Sequence, residues 1–268
     1  MTWNPVLFVM IDGLRPDVRA AATLPALDGL IARGASTLRA QSTMPSITLP
    51  CHMTIFHSVP PARHGITSNN WQPMARPLPG LIEQAKAHDK RSIAIYNWEP
   101  LRDLSRPEIL EFAWCRNAIY QADGDDILTD AVLQYLPNLQ PDFAFIYLGT
   151  VDTAGHYYGW MSDGYLRQAE RVDGCLARIL AALPPSAHVL VHADHGGHDR
   201  SHGTDMPEDM TIPWVVAGPR IKQGHVITRA VSLLDTAPTL AALLDMPPHK
   251  EWEGTAVTEA FVQVTPET

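Results

Sequence analysis

Three apolar runs in this chain each lead to an acidic residue. VLFVMID ends on Asp12, FAFIYLGTVDTAGH carries Asp152 and ends on His156, and HVLVHADHGGH carries Asp194 and His195 and ends on His198. Continuous runs of β-branched and aromatic residues suit strands buried on both faces, and such strands belong to parallel sheets. Open α/β sheets bind ligands outside the carboxyl ends of their strands. The three runs therefore predict a sheet that delivers Asp and His side chains to one edge.

The intervening stretches have helical spacing. Leu24, Leu27, Leu30 and Ile31 recur on one face, with Gly34 as the expected C-cap. Helices are also predicted over 81–87, 126–136, 166–183 and 232–244, the last two stopped by Pro184-Pro185 and Pro247-Pro248. Strands are predicted over 6–11, 92–96, 142–148, 188–193 and 212–217. Alternating strands and helices specify an α/β fold, a mostly parallel central sheet with helices on both faces. The length, 268 residues, fits one domain over 1–268. Residues 60–80 are rich in proline and small polar residues, and 97–123 are irregular. The region 60–123 is accordingly expected to form, in part, a loop or lid over the site. Its Trp98, Trp114 and Tyr120 either pack or stack against an apolar substrate group such as a nucleobase.

The formal net charge is −9 and no basic run occurs, which argues against a nucleic-acid duplex as partner. No apolar stretch is long enough for a bilayer span, so no membrane partner is expected. The first strand follows Met1 closely, without a basic segment or a cleavage site. Cys51, Cys115 and Cys175 are odd in number and scattered. Both features lead to the expectation of a cytoplasmic protein. The partner expected instead is a small molecule; the sequence specifies no oligomer.

The candidate ligands at the predicted edge are Asp12, Asp152, His156, Asp194, His195 and His202. Carboxylate with imidazole suits Zn, with Mn or Fe as rivals, whereas Mg and Ca prefer all-oxygen shells. The ligands are too many for one tetrahedral ion. Two divalent ions about 3.5–4 Å apart would use them. His198 fits a supporting role better than His202 does. His52, His57, His64 and His192 read as structural or supporting, and His88, His188, His225 and His249 as surface. Thr48 precedes Leu49-Pro50 and an apolar run to Phe56. It suits a helix N-cap and a nucleophile equally, since a helix start offers N–H groups and partial positive charge to an anion.

These segments together resemble a known family. TMPSITLPCHMT, HGITSNN, VDTAGH, ADHG and SHGTDMPEDMTIPWVVAGP, with the Asp12 run before them, are similar to the alkaline phosphatase superfamily, and within it to the type I phosphodiesterase/nucleotide pyrophosphatase branch. DTAPTLAALLDMP at 235–247 resembles that fold's C-terminal helix, so nearly the whole chain is covered. The resemblance implies one metal held by Asp152, His156 and His202. It implies a second held by Asp12, Asp194, His195 and the Thr48 oxygen. Thr48 becomes the nucleophile, passing through a phosphothreonine intermediate. Asn69 becomes the donor to a phosphoryl oxygen, with Asn70 as its rival.

Cys51 departs from the branch, which often has asparagine there. It lacks the C-x-P-x-R context in which sulfatases modify a cysteine. The short segment between His195 and His202 also departs from the larger enzymes. The reaction expected is metal-dependent hydrolysis of phosphate esters, most consistent with a phosphodiesterase, since no arginine lies in the nucleophile motif to meet a dianionic monoester. Arg15, Arg63 and Arg200 are the arginines able to fold in. A phosphonate hydrolase or phosphomonoesterase of the same superfamily, and a metal-binding protein without catalysis, are the alternatives.

Overall fold

The computed structural model describes residues 3–106 and 108–263. In chain order the elements are β1 (Val6–Ile11), α1 (Pro25–Arg33), β2 (Gly34–Gln41), α2 (Thr48–His57), α3 (Pro61–His64), α4 (Leu81–Ala87), β3 (Ser92–Tyr96), β4 (Phe112–Cys115), α5 (Gly124–Leu139), β5 (Phe143–Leu148), α6 (Thr150–Tyr158), α7 (Asp163–Ala181), β6 (His188–His192), α8 (Pro207–Met210), β7 (Thr211–Ala217), β8 (His225–Val226) and α9 (Thr236–Leu243). The strands form one sheet in the order β4-β3-β5-β1-β6-β7-β2-β8. The helices make two layers: α1, α5, α6 and α7 pack together, as do α2, α4 and α9.

The apolar runs lie at the centre. Every residue of β1, β5 and β6 is buried, as continuous hydrophobic strands covered on both sides must be. All three are parallel, with Ile11 opposite Leu148 and Met10 opposite His192. Their carboxyl ends are therefore level, and the loops leaving them open on one edge. β2 also runs in that direction, because it and β6 are each antiparallel to β7. The chain leaving β2 thus reaches α2 at the same edge.

Two sequence expectations change. Residues 212–217 do form a strand, but β7 is the antiparallel member of a mostly parallel sheet. Gly34 is not a left-handed C-cap: its φ of −136° is extended, and it starts β2. A Cβ there would lie 2.2 Å from the Val216 carbonyl oxygen, so glycine is required by the close approach of β7. β2, GASTLRAQ, lacks the apolar signature of the other strands. The edge strand β4 and a 3-10 turn over Glu99–Leu104 give order to the irregular 97–123 segment. His188, expected at the surface, is buried, and its ring accepts from Arg220 N at 3.3 Å. Among the described residues no helix is long and apolar enough to cross a membrane.

Candidate metal centre

Asp12 follows β1 directly, Asp152 lies in the first turn of α6 beyond β5, and Asp194 stands two residues past β6. The level strand ends bring them together. Gly13 makes the closeness possible. It has φ +70°, and a Cβ there would lie 2.9 Å from Asp152 Cα. Its N–H donates to Asp194 Oδ1 at 3.3 Å, while its carbonyl accepts from Trp160 Nε1 at 2.9 Å and Tyr165 OH at 2.8 Å. A side chain would therefore strain the backbone and push Asp152 away.

Two groups of side chains have ligand atoms within 4.8 Å of one another: Asp152 with His156 and His202, and Asp12 with Asp152 and His195. The first is the set the sequence resemblance implies. The second places Asp152 beside Asp12 and His195, so Asp152 belongs to both groups. Asp194 is adjacent, with Oδ2 at 3.4 Å from His195 Nε2. Its other oxygen is occupied by the N–H groups of Gly13 and His195.

The hydrogen bonds fix how the imidazoles face. His156 Nδ1 meets the Arg200 carbonyl at 2.9 Å, His195 Nδ1 the Gly196 carbonyl at 2.8 Å, and His202 Nδ1 the Ser46 carbonyl at 2.8 Å. A carbonyl only accepts, so each Nδ1 carries the proton and each Nε2 presents a lone pair. These Nε2 atoms converge. His156 and His202 are 3.2 Å apart at Nε2, and the His195 and His202 rings stack at 3.8 Å. The facing lone pairs of His156 and His202 repel; the Thr48 hydroxyl is near only the Nε2 of His195. Among the described residues, three of the seven buried side-chain polar atoms without a partner are Asp12 Oδ1, Asp152 Oδ1 and Asp194 Oδ2. Buried polar atoms are almost always satisfied, so this concentration marks a place for cations.

The electrostatics agree. Burial pushes the Asp12 carboxyl well up, and Asp194 beside it adds to the shift. Burial, then Asp12, does the same to Asp152. Burial raises Asp194 to about 7. His202 is pushed down to about 2, by burial first and then by His195. Without added positive charge, this edge disfavours the charged forms of Asp12, Asp152, Asp194 and His202.

Thr48 is the first residue of α2, and Ile47 precedes it as the cap. The Thr48 hydroxyl makes no capping bond; it lies 3.3 Å from His195 Nε2. The helix-cap reading of Thr48 is thereby excluded. Asn69 Oδ1 accepts from Leu49 N at 2.9 Å, which anchors its amide beside the start of α2. Cys51 faces away, its Sγ 3.3 Å from Ser42 Oγ. His198 braces the neighbouring loop through Asp209 at 2.7 Å rather than touching the ligand groups.

A cleft of about 530 Å³ opens over these groups, lined by Asp12, Thr48, Asn69, Asp152, His156 and His202 on its floor. Trp98, Pro100, Ile119, Tyr120 and Tyr157 stand around it. The sequence pattern does not single out Tyr147, which also lines the cleft and whose hydroxyl donates to Asp12 Oδ2. The available signal was a phenol inside a wholly buried strand, which must find a partner.

Comparison with known proteins follows the same line. The sequence model of the family described as type I phosphodiesterase / nucleotide pyrophosphatase matches residues 6–210. Ectonucleotide pyrophosphatase/phosphodiesterase family member 1 of Homo sapiens is 25% identical over 218 residues, covering 72% of this chain and 23% of that protein. A phosphopentomutase of Methylobacterium sp. (strain 4-46) is 36% identical over 134 residues, covering 48% of this chain and 32% of that protein. The chain thus spans about a quarter to a third of these curated relatives. Among solved structures, inactive murine ectonucleotide pyrophosphatase / phosphodiesterase 5 in complex with AMP superposes with a TM-score of 0.80 at 15% identity, covering 97% of this chain and 100% of that one. The fold is that of the alkaline phosphatase superfamily.

Proposed function

The chain belongs to the type I phosphodiesterase/nucleotide pyrophosphatase family, and we propose that it is a phosphodiesterase using Thr48 as nucleophile and two divalent ions. Asp152, His156 and His202 would hold one ion; Asp12, Asp194 and His195, with the Thr48 oxygen, would hold the other, and Asp152 lies within reach of both. The observation that carries this reading is the set of orphaned carboxylate oxygens facing inward-aimed Nε2 lone pairs. The mixed oxygen and nitrogen donors suit Zn, with Mn or Fe as rivals. When bound, the ions would lower the pKa of the adjacent hydroxyl and offset charge on the phosphoryl oxygens.

The residues divide the remaining work. Thr48 Oγ forms the bond to phosphorus as the ester oxygen departs on the opposite side. Water then attacks that phosphorus, the Thr48 Oγ–P bond breaks, and the restored hydroxyl and a phosphate monoester result. Pro50 has no N–H, and Leu49 N and Cys51 N already donate to Asn69 Oδ1 and the Ile47 carbonyl. The Thr48 N–H at the positive end of α2 therefore stabilises negative charge there, and the Asn69 amide donates to a phosphoryl oxygen. The carbonyl partners of His156, His195 and His202 keep those rings in one tautomer and orientation.

The choice of a diester rests on charge. Among the described residues no arginine or lysine lines the cleft. Arg15 is engaged with Asp17 and the Gly197 carbonyl, and Arg63 with Glu251. Arg200 touches the site through its carbonyl, on His156, and its side chain does not line the cleft. A monoester dianion therefore lacks a protein cation beside it, whereas a diester carries one charge fewer. Trp98, Ile119 and Tyr120 support the reading of 60–123 as a wall or lid receiving an apolar leaving group. The test compares bis(p-nitrophenyl) phosphate, p-nitrophenyl phosphate and a phosphonate monoester on zinc-loaded protein. The expected result is higher kcat/KM on the diester. A higher value on the monoester would overturn the diester assignment, and a higher value on the phosphonate would select the phosphonate hydrolase alternative.

A further inference from the structure

Asp125 is buried in the first turn of α5 and belongs to neither ligand group. Its carboxylate accepts from four donors: Asn97 Nδ2 at 2.7 Å, Gly149 N at 3.0 Å, Thr150 N at 3.1 Å and Thr150 Oγ1 at 2.5 Å. Gly149 and Thr150 open α6, the helix that carries Asp152 and His156. The capping residue of α6 is Gly149, which has no side chain, so a carboxylate from another helix satisfies the free N–H groups. Its negative charge also complements the helix N-terminus.

The Asn97 donor connects this cap to the cleft wall. Asn97 follows β3 and precedes Trp98, and its carbonyl accepts from Ile119 N at 3.3 Å. Thr153 Oγ1, on α6, donates to the Ile119 carbonyl at 3.0 Å. Trp98 and Ile119 both line the cleft. One buried carboxylate therefore ties the ligand-bearing helix to the wall above it.

We infer that Asp125 is a positioning residue for the metal centre, fixing the direction of α6 and so the reach of Asp152 and His156. The inference rests on the metal reading of those two residues. From Thr150 to His156 the helix rises roughly 9 Å, so a tilt of about 5° moves the imidazole by roughly 0.8 Å. Ligand constellations tolerate only about 0.5 Å. Asp125→Asn places an amide N–H against donors and loosens the pivot.

Asp173 provides the control. It is also buried and accepts from Ala26 N at 2.8 Å and Leu27 N at 2.9 Å, capping α1, which carries no ligand. The experiment measures zinc affinity of the full chain by competition with a chromophoric chelator, together with metal-free thermal melting. Asp125→Asn should weaken zinc binding about 10–100-fold, the range typical of groups that orient ligands. Thr150→Val, which removes one of the four donors, should weaken it less but in the same direction. Asp173→Asn should lower the melting temperature and leave zinc affinity unchanged. Wild-type affinity in Asp125→Asn, or an equal loss in Asp173→Asn, would overturn the inference. If Asp125→Asn does not fold, Thr150→Val against Asp173→Asn decides the same question. A wild-type protein that takes up no zinc would instead sink the metal reading, and this inference with it.

Discussion

The two ligand groups share Asp152 but differ in burial. Around Asp12 and His195 the side chains are wholly enclosed, with His195 0% exposed. Around His156 the group opens to solvent, and that imidazole is 45% exposed. The inner group carries the Thr48 hydroxyl, the Tyr147 bond to Asp12 and the raised carboxyls. The outer group borders the cleft wall, where Tyr120 is 76% and Tyr157 69% exposed. The contrast separates two tasks. On the proposed function, the enclosed low-dielectric group would hold charge and the Thr48 hydroxyl firmly, while the open one would admit substrate and release product.

The severest test of this contrast is Thr48→Ala. Turnover should fall at least about 1,000-fold, as removal of a nucleophile does, while elemental analysis still finds both metals. Retained turnover would remove the inner group from the chemistry. Next come the ligands themselves. Chelation of the loaded protein should release metal in two phases, the outer ion first. His156→Ala should abolish the fast phase, and His195→Ala the slow one. A single phase in wild type would erase the distinction. Gly13→Ala should follow, destabilising the fold by about 1–3 kcal/mol through its positive φ, seen as a lower melting temperature and weaker metal binding at both groups.

A smaller effect concerns pH. Burial lets Asp194 keep its proton up to about 7, whereas an unfolded aspartate loses it near about 4. In that window the native state binds more protons than the unfolded state, so this group's contribution to stability falls as pH rises. His52 and His192, each pushed down to about 3 by burial, and His202 act oppositely below about 6.5. Metal-free protein should therefore lose melting temperature as pH rises through about 7, because the unfolded imidazoles, half neutral at about 6.5, progressively cease to oppose it. Asp12 and Asp152, also raised by burial, act in the same direction as Asp194. Asp194→Asn should reduce the slope, and zinc should remove it. An unchanged slope in Asp194→Asn would contradict the burial argument. The smallest effect expected is on the wall: Tyr120→Ala should raise KM by up to about tenfold for an aryl diester, the worth of one aromatic contact, with kcat unchanged. A fall in kcat instead would assign Tyr120 to the chemistry.

Much of this was legible along the chain. Asp12, Asp152, His156, Asp194, His195 and His202 follow buried strands, and the strands announce themselves by continuous apolar runs. β2 was hidden because its alanine, serine, threonine and arginine carry no such run; pairing with β7 makes it a strand. Thr48 resisted assignment for a local reason. A threonine before Leu-Pro has equal claim to cap or to react; the structure gives the cap position to Ile47, and the reactive role is the one proposed above.

The sequence by itself determined which chemical groups reach the open edge, since strand length and burial are written in local periodicity. Tertiary structure decided how those groups meet: that Asp152 stands between both ligand groups, that Tyr147 holds Asp12, and that Asp125 caps a helix not its own. The physical reason is separation. Tyr147 lies 135 residues from Asp12, and Asp125 25 from Thr150. Which oxygen faces which nitrogen depends on strand register and helix packing, and no local pattern encodes either.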